Sequence, residues 1–133
     1  MRTAAAYSVA HIWMVGAPSP NDTKVNKTAL GSQRFLTWTV FETAPEAIAD
    51  IRAHGYRLIG IELAEGAVPL HTVDLSGDVC LALGHEDRGL SKELLADNDA
   101  LAYIPQLGRI GSLNVGTATA IACYEARRAG WTA

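Results

Sequence analysis

Three glycine-bearing turns, at Gly84, at Gly89 and from Gly108 to Gly116, follow stretches that have the character of β-strands. Open α/β sheets bind ligands beyond the carboxyl ends of their strands, so a ligand is expected at these turns. Glycine lets the backbone come close and present its amides and carbonyls, which suits an adenine edge and a ribose as well as a phosphate. Ser112-Leu113-Asn114 adds a hydroxyl and a side-chain amide at the entry to the last helix, where orphan backbone N–H groups are available. Capping that helix is the plainer role for either residue. Neither G-x-G-x-x-G after a strand nor G-x-x-x-x-G-K-S/T occurs, which removes the usual support for hydride or phosphoryl chemistry.

The elements that must position these groups alternate along the chain. His11 to Ala17 (HIWMVGA) has the pattern of a short buried strand, stopped by Pro18, Pro20 and Asn21. Asp22 or Thr23 can cap a short helix ending near Gly31, and Leu36 to Phe41 (LTWTVF) is β-branched and aromatic like a strand. Thr43-x-x-Glu46 is a capping box with Pro45 in the first turn, and it predicts a helix as far as Gly55. Tyr56 to Leu63 and Asp78 to Leu83 are nearly continuous in apolar character, as strands buried on both faces are. Ser91 opens a brief helix through Ala96, and Ala100 to Ile104 is a last strand. Val115 to Gly130 is a final Ala-rich helix, with Ile121 and Tyr124 expected on its packing face. Such alternation indicates an α/β fold with a doubly wound parallel sheet.

Composition narrows the partners. The 133 residues, 49% hydrophobic and 19% charged, suit one ordinary α/β domain spanning 1–133. The longest weakly polar stretch, Ser8 to Pro18, contains His11 and is far short of the roughly 20 apolar residues of a membrane span. The start, MRTAAAYSVAHIW, carries no signal-cleavage pattern, so a cytoplasmic location is expected. Cys80 and Cys123 stand in apolar segments and are expected as packing thiols. His11, His54, His71 and His85 share no ligand spacing, so no metal is expected. A net charge of −3 argues against nucleic-acid binding by bulk electrostatics, leaving any RNA contact local. Lys24, Lys27 and Arg34, and separately Arg127 with Arg128, form the two basic clusters, although most such clusters are only solvated surface.

Two ordered motifs carry a resemblance. Leu83-Gly84-His85-Glu86-Asp87-Arg88-Gly89-Leu90-Ser91 resembles the second motif of the SpoU (TrmH-like) RNA 2′-O-methyltransferases of the SPOUT superfamily. Ile104-Pro105-Gln106-Leu107-Gly108-Arg109-Ile110-Gly111-Ser112-Leu113-Asn114-Val115 resembles the third, which continues into Ala118 and Tyr124-Glu125. Ala29-Leu30-Gly31-Ser32 looks like the family's small-residue turn, and Ile61-Glu62-Leu63 falls where its cofactor loop begins, so the likeness spans nearly the whole chain. It looks most like the tRNA guanosine branch.

The resemblance implies an α/β fold with a parallel sheet and a C-terminal deep trefoil knot, in which the chain from about Gly84 threads through a loop. It implies S-adenosylmethionine as cofactor, held by backbone groups around Leu63, Gly84, Ile104 and Leu113, with Ile61, Glu62, His85, Gly89, Pro105 and Ser112 beside them and Glu86 shaping the site. It further implies RNA as substrate, tRNA before rRNA, and a homodimer to which the last helix contributes. The proton of a ribose hydroxyl must be accepted or its alkoxide stabilised. The family assigns this to an arginine of its first motif, matched by Arg2, with help from Ser112, Asn114 and Glu86. Arg88 and Arg109 could also meet RNA phosphate. That first motif normally begins with an asparagine and follows a complete strand; both are missing before Arg2, so an N-terminally short domain with a poorly held Arg2 is expected. A catalytically silent knotted dimer that binds RNA or S-adenosylmethionine is therefore the second reading, and a small doubly wound domain binding another nucleotide or metabolite is a third. Gly116 stands where many relatives carry serine.

Overall fold

The computed structural model describes residues 2–16, 36–84, 89–108 and 113–131. It divides into two compact units, Met1–Asp50 and Ile51–Ala133.

The first unit holds α1 (Arg2–Ala6), β1 (Ile12–Val15), β2 (Trp38–Phe41) and most of α2 (Ala44–Ala53). β1 and β2 pair in parallel, with Ile12 opposite Trp38 and Val15 opposite Phe41. Among the described residues β1 pairs with β2 alone, and it is half-buried to exposed and shorter than the buried strand expected from His11 to Ala17. Ahead of β1, His11 Nδ1 lies 2.7 Å from Thr37 Oγ1 and its Nε2 lies 2.9 Å from Thr39 Oγ1. The Thr37 hydroxyl gives its single proton to Ala10 O, so His11 Nδ1 is the donor of its pair. Trp13 Nε1 donates to Asp50 Oδ2 at 2.8 Å. The capping box forms, with Thr43 Oγ1 donating to Glu46 Oε1 at 2.8 Å. The helix expected near Asp22 to Gly31 lies outside the described residues.

The second unit is built on a four-stranded sheet containing β3 (Arg57–Ile61), β4 (Val68–Pro69), β5 (Val79–Ala82) and β6 (Ala100–Tyr103), in the order β4-β6-β3-β5. All three pairings are parallel. β3 is central and its last four residues are buried, as a strand covered on both faces must be. β4, followed by a 3-10 turn at Leu70–Thr72, has no counterpart in the sequence reading. Two residues are too few for periodicity, and Pro69 can end a ladder only on an edge strand. α3 (Lys92–Ala96) is capped by Ser91, whose hydroxyl accepts from Leu94 N. Ile59, Ile61, Leu70, Leu75, Ala102 and Ala122 form the core.

α4 (Val115–Arg128) turns a different face inward from the one expected. Ala122 and Cys123 are buried, whereas Ile121 and Tyr124 are 39% and 45% exposed. Val115, Ala118, Thr119, Ala122, Cys123 and Ala126 make the covered stripe at helical spacing. Small side chains there allow close approach to the sheet, and Ile121 and Tyr124 fall off that stripe.

The amino edge of the sheet is pinned by Asp99. Its Oδ2 accepts from Leu58 N at 2.7 Å and from Arg52 Nη1 at 3.0 Å, while Arg52 Nη2 reaches Asp97 Oδ1 at 2.7 Å. The backbone N–H of Leu58, followed by the Arg52 guanidinium, holds the Asp99 carboxyl below its ordinary range. A depressed carboxyl contributes stability that is present above its unfolded value and lost as pH falls through the folded one. Asp99→Ala should lower unfolding free energy by about 1–3 kcal/mol near neutral pH, chiefly by leaving the Leu58 N–H without this acceptor. The exposed Arg52 pair adds little. The gap between variant and parent should narrow below about pH 4 in melts run across pH, because a protonated Asp99 accepts from Leu58 N more weakly than the carboxylate does.

Burial pushes the Cys80 thiol up to about 11 and raises that of Cys123 as well. A thiol reagent at pH 8 should therefore label Cys80 about a hundredfold more slowly than an exposed cysteine, with rapid labelling after denaturation.

Candidate functional site

The carboxyl edge of the four-stranded sheet gathers the segments that the sequence singled out. Gly60 pairs with Ala82 and Ile61 with Ala102, and Glu62 N extends the ladder by donating to Ala102 O at 2.8 Å. Glu62 and Gly84 thus stand two residues beyond one registered pair, and Leu63 and Ile104 two beyond the other. Leu63 is 76% exposed, Ile104 packs against the core, and Pro105 follows at the exposed margin.

The turn between β5 and α3 closes on its own backbone. A Cβ on Gly84 would overlap the carbonyl of Gly89 and the amide of Leu90, so no other residue fits without moving the chain. Gly89 has φ +66, and its missing Cβ leaves room for the Glu62 carboxylate. Glu62 Oε1 accepts from Leu90 N at 2.8 Å. Leu90 is itself buried, and its Cδ1 would lie 3.0 Å from a Cβ added to Gly60. Glycine inside an apolar strand run marks such close approaches, so Gly60 was the available signal for a contact that sequence reasoning missed.

Asn114 caps α4, its Oδ1 accepting from Thr117 N at 2.8 Å. Leu113 precedes it and is 37% exposed. A Cβ on Gly116 would meet only Asn114 Oδ1, at 3.4 Å, so the serine of many relatives would be accommodated. Arg2 opens α1 in the first unit and is exposed. His85, Glu86, Arg88, Arg109 and Ser112 lie outside the described residues. The structure thus brings together Ile61, Glu62, Leu63, Gly84, Gly89 and Ile104. Among the described residues no group of three or more His, Cys, Asp or Glu could hold a metal ion.

A parallel α/β sheet with a glycine-closed turn at its carboxyl edge defines a domain of the α/β class. Residues 1–124 match the SpoU rRNA Methylase family, and the chain belongs to that family. It is 31% identical over 128 residues to the tRNA (guanosine(18)-2′-O)-methyltransferase of Escherichia coli, covering 96% of this chain and 56% of that protein. It is 34% identical over 130 residues to the 23S rRNA (guanosine-2′-O-)-methyltransferase RlmB of Acinetobacter baylyi, covering 96% and 52%. The chain thus spans little more than half the length of these relatives. Among solved structures, the AdoMet-bound rRNA methyltransferase of Sinorhizobium meliloti superposes with a TM-score of 0.84 at 35% identity, over 98% of this chain and 50% of that one. The SpoU methyltransferase AviRb of Streptomyces viridochromogenes, in complex with AdoMet, gives 0.85 at 27% identity, over 96% and 52%.

Gly84→Ala should cost about 3 kcal/mol or more in urea unfolding, because the added methyl meets backbone. Gly77→Ala is the comparison: φ is +74 there with nothing within 4 Å, so only left-handed strain of about 1–2 kcal/mol is expected.

Proposed function

We propose that this chain methylates a ribose 2′-hydroxyl of RNA using S-adenosylmethionine, with tRNA as the first substrate to test and rRNA as the second. The observation that carries this reading is the glycine-closed turn beside Leu63 and Ile104 at the carboxyl edge of the sheet, in a chain of the SpoU family. The site fits the cofactor. Exposed Leu63 and partly covered Ile104 offer apolar surface to a purine, and the backbone at Gly84 has no side chain to hold a ligand away. Pro105, Leu113, Ser112 and His85 complete the proposed cofactor contacts.

When bound, S-adenosylmethionine supplies a methyl group that bonds to the ribose oxygen while the carbon–sulfur electron pair stays on sulfur. The chain's task is alignment in a dry pocket and management of the hydroxyl proton. Arg2, a fixed cation, stabilises the developing alkoxide and grips the neighbouring phosphate, while the hydroxyl proton passes to water at the mouth of the pocket. Ser112 and Asn114 orient the ribose, and Glu86 shapes the pocket.

The residues 1–133 act as one functional domain in this reading, since the family match runs through both compact units. The knot, threaded from about Gly84, belongs to the same reading. Ile121, Tyr124 and Trp131, all exposed, with Tyr124 edge-on to Trp131 at 5.5 Å, support a homodimer that uses α4. Among the described residues no helix is long and apolar enough to cross a membrane, and the cytoplasm is the compartment proposed.

Calorimetric titration with S-adenosylhomocysteine should give saturable binding, and labelled methyl groups should pass to unmodified tRNA. Arg2→Ala should keep that binding while kcat falls on the order of 10²–10³-fold. A folded protein that does not bind S-adenosylhomocysteine overturns the reading. Binding without transfer to tRNA or rRNA would favour the silent dimer instead.

A further inference from the structure

Glu62 occupies an unusual place for a carboxylate. It follows β3 directly, its amide is tied to Ala102 O, and its side chain turns back to accept from Leu90 N at 2.8 Å. The Gly89–Leu90 peptide is thereby held between two surfaces. Gly84 lies against one side, so close that a Cβ there would overlap it, and the Glu62 carboxylate fills the space that a Gly89 side chain would need. Leu90 then inserts its side chain against Gly60 in the middle of β3. Both ends of the 84–89 turn are fixed by one hydrogen-bonding side chain and two missing methyl groups.

We infer that Glu62 is a positioning residue: it holds the Gly89–Leu90 peptide against Gly84 through the hydrogen bond to Leu90 N, and does not contact the cofactor through its carboxylate. This rests on the reading that the carboxyl edge binds S-adenosylmethionine, and it replaces the direct contact that the family resemblance implied for Glu62. What the turn requires of residue 62 is an acceptor oxygen at a set distance from the backbone. A ligand contact with an ammonium would instead require the negative charge, and a contact with a ligand hydroxyl would leave Leu90 exchange in the free protein unchanged by either substitution.

Two substitutions separate these requirements. Glu62→Gln keeps an acceptor at the same reach without the charge, and Glu62→Asp keeps the charge one methylene short. Each is titrated with S-adenosylhomocysteine, and amide hydrogen exchange at Leu90 is followed without ligand, with Leu58 in β3 as the internal reference for folding. Glu62→Gln should bind within about threefold of the parent and protect Leu90 equally. Glu62→Asp should bind about tenfold to a hundredfold more weakly and exchange Leu90 faster by a similar factor, the range expected from losing a hydrogen bond to a charged group. Leu58 should be unchanged. Binding retained by Asp and lost by Gln, or affinities and Leu90 exchange alike in all three proteins, overturns the inference. The exchange measurement needs no ligand, so it tests the clamp even if the parent fails to bind S-adenosylhomocysteine, a result that would sink the proposed function instead.

Discussion

Two stretches of backbone touch where Gly84 meets the Gly89–Leu90 peptide, and the carboxyl edge of the larger sheet is organised around that contact. Backbone can approach backbone so closely only where side chains are absent. The position of Leu90, its insertion over Gly60 and the direction of the Glu62 side chain all follow from it. A single methyl group at Gly84 would push the turn away from the strand end and withdraw Leu90 from β3.

The two edges of the sheet are fastened by the same device put to different ends. At the amino edge, Asp99 accepts from Leu58 N and is backed by Arg52, so its carboxylate is balanced by a cation. At the carboxyl edge, Glu62 accepts from Leu90 N. The first fastening holds strand to strand. The second holds the Gly89–Leu90 peptide against the end of a strand.

Much of this was legible in the sequence because it depends on local chemistry. Ser91 and Asn114 cap their helices as their side chains dictate, Thr43 and Glu46 find each other, and the apolar runs at residues 57–61, 79–82 and 100–103 are strands. Placing Leu63, Gly84 and Ile104 on one edge needed only the order of the elements. What stayed hidden depends on the partner of a residue rather than its type. Ile121 and Tyr124 are apolar, but the sheet is met by the narrower alanine side of α4. Glu62 directly follows β3 in sequence, yet its carboxylate points to a peptide 28 residues on. β4 is too short to carry a pattern at all.

Asn114 shows how a helix can dictate the polarity of a functional group. An amide side chain has one accepting end and one donating end, and the start of α4 takes the accepting end for Thr117 N. The NH₂ end takes no part in the cap, so the residue also offers two donors to an acceptor beyond the helix, such as a ribose or carbonyl oxygen. An aspartate here would cap the helix equally well and present the opposite sign, so folding requires only the accepting oxygen, and asparagine rather than aspartate gives the position a donor as well.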